Sequence, residues 1–125
     1  MQEISTPAAV TIEPAAALTD ALEHWATTSP DSVLFARKGG ERWSDVTAKE
    51  FATEVRAVAA GLVASGVQPG DRVALMSRTR YEWTLIDYAI WAVGGVTVPI
   101  YESSSVEQNS RTRCAGWVAR TGGTH

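Results

Sequence analysis

The sequence has a single cysteine, Cys114, among 125 residues. That excludes an internal disulfide framework and a cysteine-based zinc site. Positive charge is not in excess either: 11 Lys and Arg stand against 14 Asp and Glu, for a net charge of −3 and a pI near 5.3. A broadly basic surface for nucleic acid or an anionic membrane is therefore not expected. Long apolar runs are missing too. No uncharged stretch is longer than residues 88–101, which are fewer than the roughly 20 that a spanning helix needs. Gly94, Gly95 and Pro99 interrupt that stretch, so a buried helix followed by a buried strand explains it better. The N-terminus has no basic n-region and does not read as a secretory signal. A soluble, cytoplasmic protein is expected, and a reducing cytosol suits the lone thiol. Neither G-x-x-x-x-G-K-[ST] nor G-x-G-x-x-G occurs, which removes the phosphate-cradling loops of those kinds.

What is present is ordinary globular material. Apolar residues make up 45%, too many for a disordered chain, and the length suits one compact domain. Acidic residues are unevenly spread: residues 1–108 hold fourteen, and 109–125 hold none beside three arginines. Residues 1–17, rich in Ala, Pro and Thr, read as a flexible arm. A short helix is expected from about Thr19 to Thr27, capped by Thr19, with Leu18, Leu22, Trp25 and Ala26 on one side. Val33–Ala36 is β-prone, Lys38-Gly39-Gly40-Glu41 reads as a hairpin turn, and Arg42-Trp43-Ser44 returns. Thr47 and Glu50 form a T-x-x-E capping box, with Val46 and Phe51 as its hydrophobic staple. Phe51, Val55, Val58, Ala59 and Leu62 give one apolar face to a helix over 48–65, with Gly66 beyond its end and Pro69 as a stop.

A turn at 67–71 leads to a short apolar strand at 72–76. Thr79 and Glu82 form a second T-x-x-E pattern. The helix expected after it, 80–93, is apolar nearly all the way round, so it must pack on protein on both sides. Gly94-Gly95 ends it, and Val96–Tyr101 is a second apolar strand. Strand, helix, strand with short turns is a βαβ unit, which implies a parallel pair. The fold class is α/β, with the preceding amphipathic helix as cover. Two parallel strands are too few to be buried on both faces, so the sheet is expected to be incomplete, the opening of a larger doubly wound one. Past Gln108 the periodicity stops. The Arg-, Gly- and Thr-rich residues 109–125 resemble a shifted reading frame of a GC-rich gene, and an aberrant, disordered tail is expected there.

Few residues invite a chemical role. His24 reads as a surface helix residue, and His125 is terminal. Cys114 has no evident histidine partner for nucleophilic work. Thr121-Gly122-Gly123-Thr124 echoes a phosphate loop without its lysine or helix. Asp87 lies inside the apolar helix, where a buried carboxylate needs a partner. It is expected to reach solvent or an arginine, with Arg80 two turns earlier on nearly the same face. Ser103-Ser104-Ser105 follows the second strand, where α/β sheets bind ligands, but three serines before Val106-Glu107 also read as a helix cap. Trp25, Trp43, Trp83 and Trp91 fit core or core-edge packing.

One set of residues carries a resemblance. Val67-Gln68-Pro69-Gly70-Asp71-Arg72-Val73-Ala74-Leu75-Met76-Ser77-Arg78, Tyr81-Glu82-Trp83, Gly94-Gly95-Val96-Thr97-Val98-Pro99-Ile100-Tyr101 and Ser103-Ser104-Ser105-Val106-Glu107-Gln108 resemble the N-terminal part of the AMP-forming acyl-CoA synthetases. These are adenylate-forming ligases, and the V-P-I-Y and S-S-x-E-Q wording is similar to the long-chain fatty-acid branch. The likeness covers about residues 18–108. It implies a partial N-terminal subdomain of that fold. It also implies, for a full-length member, activation of a fatty acid with ATP to an acyl-adenylate and transfer to coenzyme A. ATP, Mg and coenzyme A are then implied for the full-length family and none for this chain. The family's Ser/Thr/Gly-rich phosphate loop, adenine site and C-terminal lysine have no counterpart here. Lys38 and Lys49 do not match that lysine, and Glu102 stands where a proline is often found. No catalytic, cofactor-binding or metal-binding residue is assigned. The expected reading is a truncated, inactive long-chain fatty-acid–CoA ligase that can self-associate through the exposed strand. The alternative is a non-catalytic binding module, or a partner of a separately encoded remainder.

Overall fold

The computed structural model describes residues 10–101 and, as backbone, one strand at 117–120. The elements run α1 (Leu18–Thr28), β1 (Val33–Gly39), β2 (Arg42–Thr47), α2 (Ala48–Ala64), β3 (Arg72–Met76), α3 (Tyr81–Ala92), β4 (Val96–Ile100) and β5 (Trp117–Arg120). β1 and β2 form an antiparallel hairpin with Gly39 opposite Arg42. The two-residue turn between them begins with Gly40 at φ +64°, a conformation that favours glycine. β3 is central in a parallel sheet of order β4-β3-β5. The α/β class and the β3-α3-β4 parallel unit are as expected. The sequence placed no element beyond 108, and β5 adds a third strand beside β3. Four residues are too short for alternation to show.

α2 begins and ends as its sequence dictates. The Glu50 N–H donates to Thr47 Oγ1 at 3.3 Å, and the Thr47 N–H donates to Glu50 Oε2 at 2.9 Å, so both arms of the capping box are made. Val46 and Phe51 are buried in one cluster, completing the staple. At the far end Gly66 sits at φ +94°. Its N–H reaches the Val63 carbonyl, and that of Val67 reaches the Leu62 carbonyl, the two bonds of a Schellman motif. α3 ends the same way, with Gly94 N–H to Trp91 O and Gly95 N–H to Ile90 O, both 2.9 Å.

Two helix starts differ from expectation. α1 opens at Ala17, whose N–H donates to Asp20 Oδ2 at 2.8 Å, so Thr19 lies inside the helix and does not cap it. An acid in the first turn holds the entering N–H and suits the helix dipole, which moves the start forward. The second T-x-x-E box does not form. α3 is capped by Arg80 in extended backbone, without a side-chain bond, and Thr79 falls one residue outside. Glu82 instead meets Arg80 Nε at 3.5 Å.

The core has two parts. Leu22, Val46, Phe51, Val55, Leu85 and Ala89 join α1, the hairpin, α2 and α3. Val67, Val73 and Ile90 join the base of the sheet to the other side of α3. This explains why α3 is apolar around most of its girth: it is sandwiched. At the entry to β4 the chain passes very close to the end of α3. A Cβ on Gly95 would lie 2.9 Å from Ile90 Cγ2, so nothing larger than glycine fits without a shift. Of the four tryptophans expected at the core or its edge, two are exposed: Trp25 is 47% and Trp43 66% accessible. Trp43 lies on the hairpin near its turn, and Trp25 on the rim of α1, where neither cluster reaches them.

Candidate functional site

In an α/β sheet ligands gather beyond the carboxyl ends of the strands. Here that edge carries Ser77, Arg78, Thr79 and Arg80 after β3, and an exposed Tyr101 after β4. The Ser77 hydroxyl is turned onto its neighbour's carbonyl, Arg78 O, at 3.0 Å. Ser103, Ser104, Ser105, Glu102, Cys114, His125 and the Thr121–Thr124 run lie outside the described residues, so the expectations placed on them stay expectations.

A second concave region lies at the start of α2. It is an open groove of about 470 Å³ lined by Asp31, Thr47, Lys49, Glu50, Thr53 and Glu54. Its polar groups are largely committed. Thr47 and Glu50 close the helix cap, and the hydrogen bonds from the Thr47 backbone and hydroxyl hold the Glu50 carboxyl below the usual carboxylate range. The Thr53 hydroxyl donates to the Lys49 carbonyl at 2.8 Å. Glu54 is held from the other side by Arg37, at 2.7 Å. Lys49 is exposed in the first turn of α2, and Lys38 is exposed on β1. Among the described residues no group of three or more His, Cys, Asp or Glu is placed to hold a metal ion.

Beside the groove is a cluster that the sequence did not reveal. The Arg37 guanidinium lies 3.9 Å over the Tyr81 ring and pairs with Glu54. Phe35, Phe51, Tyr81 and Tyr88 pack edge-on or tilted against one another, with Phe35 and Phe51 centroids 4.7 Å apart. Burial, and after it the Glu54 carboxylate, push the Tyr81 hydroxyl up to about 12. Arg37 Nε and Tyr81 Oη are both enclosed without a hydrogen-bond partner. The cluster ties β1 to the two helices. No local pattern could announce it, because its members come from three elements separated by tens of residues.

Asp87 departs from what the sequence led us to expect. It does not pair with Arg80, and little of it reaches solvent. It is only 7% exposed, its Oδ1 has no partner, and Arg80 faces Glu82. His24 is exposed on α1, as read from the sequence, with its ring edge-on to Trp25.

Comparison with known proteins places these features. The profile of a family described as "AMP-binding enzyme" matches residues 22–111. Long-chain-fatty-acid–CoA ligase FadD15 of Mycobacterium tuberculosis is 50% identical over 111 residues, covering 86% of this chain and 18% of that protein. The chain thus spans less than a fifth of that relative. A fatty acyl-adenylate ligase from L. pneumophila, solved with acyl adenylate and pyrophosphate, superposes with a TM-score of 0.62 and 28% identity. That likeness covers 67% of this chain and 15% of the ligase. The NpsA N-terminal subdomain of Klebsiella oxytoca shares the fold, with a TM-score of 0.67 at 24% identity, over 83% of this chain and 29% of that one.

Proposed function

Since the chain belongs to the AMP-binding enzyme family, we propose that it is the N-terminal scaffold of a long-chain fatty-acid–CoA ligase and does not form acyl-adenylate by itself. The observation that carries this is the 50% identity to FadD15 over 86% of the chain against 18% of that ligase. Adenylation needs groups that hold the triphosphate and Mg²⁺ and stabilise developing charge. Thr47, Glu50 and Glu54 of the α2 groove are instead engaged in a helix cap and an ion pair. In the complete ligase the substrates are a fatty acid, ATP and coenzyme A, with Mg as the metal. The proposal includes a cytoplasmic location; among the described residues no helix is long and apolar enough to cross a membrane. It also includes the division into an arm (1–17), a family segment (18–108) and an aberrant tail (109–125). The family match ending at residue 111 supports that last boundary. Left alone, such a scaffold self-associates through the free edge of β4.

The test is ATP–pyrophosphate exchange with palmitate on the purified 125-residue chain. The expected result is no exchange above a heat-killed control, and exchange above it overturns the proposal. The second reading, a non-catalytic module that partners a separately encoded remainder, predicts co-purification of that remainder from the native host.

A further inference from the structure

Little binds α1 to the rest of the chain. Of its eleven residues only Leu22 is buried, and Ala26 packs partly against the same cluster. Leu18 and Trp25 are exposed. The ion pair from Glu23 to Arg56 of α2 has both side chains more than half accessible, so it is a weak tie. Every described residue before Thr19 is exposed, and none adds an anchor. The joint behind the helix is built differently. Pro30 disfavours helical geometry in the residue before it, and Ser29 lies at φ −145°, ψ 62°. The Ser29 N–H belongs to the helix, donating to Trp25 O at 2.9 Å. Its carbonyl belongs to the turn beyond, accepting from the Ser32 N–H at 3.0 Å. Rotation about the two dihedrals of Ser29 falls between these bonds and breaks neither. The turn itself is fastened to the start of α2. The Ala48 N–H donates to Ser32 O at 2.8 Å, and the Lys49 N–H donates to Pro30 O at 3.0 Å.

We infer that α1 is a hinged strap that pivots at Ser29 and leaves the body while α2, α3, the hairpin and the sheet stay folded. Leu22 is its latch. When Leu22 withdraws, the first core cluster is uncovered on the α1 side, while Val46, Phe51, Val55, Leu85 and Ala89 remain joined across the other elements. A detached stretch of eleven residues is too short to hold a helix in water, so the strap loses its own hydrogen bonds when it opens.

Native-state hydrogen exchange on the full chain tests this. The amides bonded within α1, residues 22–29, are expected to share one opening free energy, lower than that of Gly70 and Val96 in the sheet half. A value that climbs residue by residue along 22–29 means end fraying. A value equal to that of the sheet half means that α1 leaves only with the whole fold. Either result overturns the inference. Ile90→Val then separates the strap from the body. Ile90 lies in the second core cluster, which α1 does not enter. The closed and the opened chain both contain that cluster, so weakening it cancels for α1. The variant should speed exchange at Gly70 and Val96 about two- to tenfold and leave residues 22–29 unchanged. Equal acceleration in both places overturns the inference.

Discussion

Tyr81 shows how one residue can be fixed by groups far away in sequence. Its ring lies under Arg37 and beside Phe51, and its hydroxyl is closed in without a partner. The folded chain therefore keeps the phenol neutral up to about pH 12, whereas the unfolded chain ionises it near pH 10. Between those values the unfolded state has lost a proton that the folded state retains, so stability falls as pH rises and levels off above 12. Tyr81→Phe removes that titration and an unsatisfied hydroxyl together. Neutral-pH stability should stay within about 1 kcal/mol of the parent. The fall between pH 10 and 12, followed by urea unfolding, should be shallower than in the parent; an identical alkaline fall would show that Tyr81 ionises freely. The sequence showed Tyr81 only as part of a family motif. The pairing of Arg37 with Glu54, seventeen residues away, had no local signature.

At the scale of elements, legibility followed the range of the cause. The α2 start was readable because its box lies within four residues, and its end because a glycine at φ +94° is a local demand. Thr79 and Glu82 carried the same spacing and made no box, because the chain reaches helical geometry one residue later, at Tyr81. Spacing permits a cap, and backbone position decides whether it is used. Thr47→Ala should cost about 1 kcal/mol in urea unfolding at pH 7. The same box makes part of the stability depend on acid. The Glu50 carboxyl is depressed in the folded chain, so its contribution is present above the ordinary carboxylate range and is lost as pH falls through the folded value. Glu50→Gln retains an acceptor and loses the titration. Its stability should therefore decline less than the parent's between pH 5 and pH 2, and parallel declines would count against this account. Asp87 marks the limit of periodicity. A helical wheel placed it on an apolar helix but could not say that Oδ1 would be enclosed without a partner among the described residues.

The described residues form a helical layer whose one core cluster takes in the hairpin and whose other takes in the short parallel sheet. The sheet half is knotted at one end by three backbone bonds: Gly70 N–H to Gly94 O, Gly95 N–H to Ile90 O and Val96 N–H to Asp71 O. The first and third join the entrances of β3 and β4, and the second ties the β4 entrance to the end of α3. Residues 68–100 should accordingly open as one cooperative unit. In native-state hydrogen exchange the amides of Gly70, Gly95 and Val96 should share one opening free energy, and widely different values would break the unit into parts. The α/β class and this βαβ unit were legible, because each strand and helix has its own period. The third strand was not, and the incompleteness of the sheet was inferred from its strand count. Among the described residues the outer edge of β4 is unpaired, and this has one more consequence. The Val96 N–H turns inward to Asp71, so alternation turns position 99 outward, and there stands proline, opposite Leu75 across the ladder. An incoming strand finds no donor at the middle of that edge. Two copies can meet there, but the edge is a poor template for the endless stacking of strands that builds a fibril.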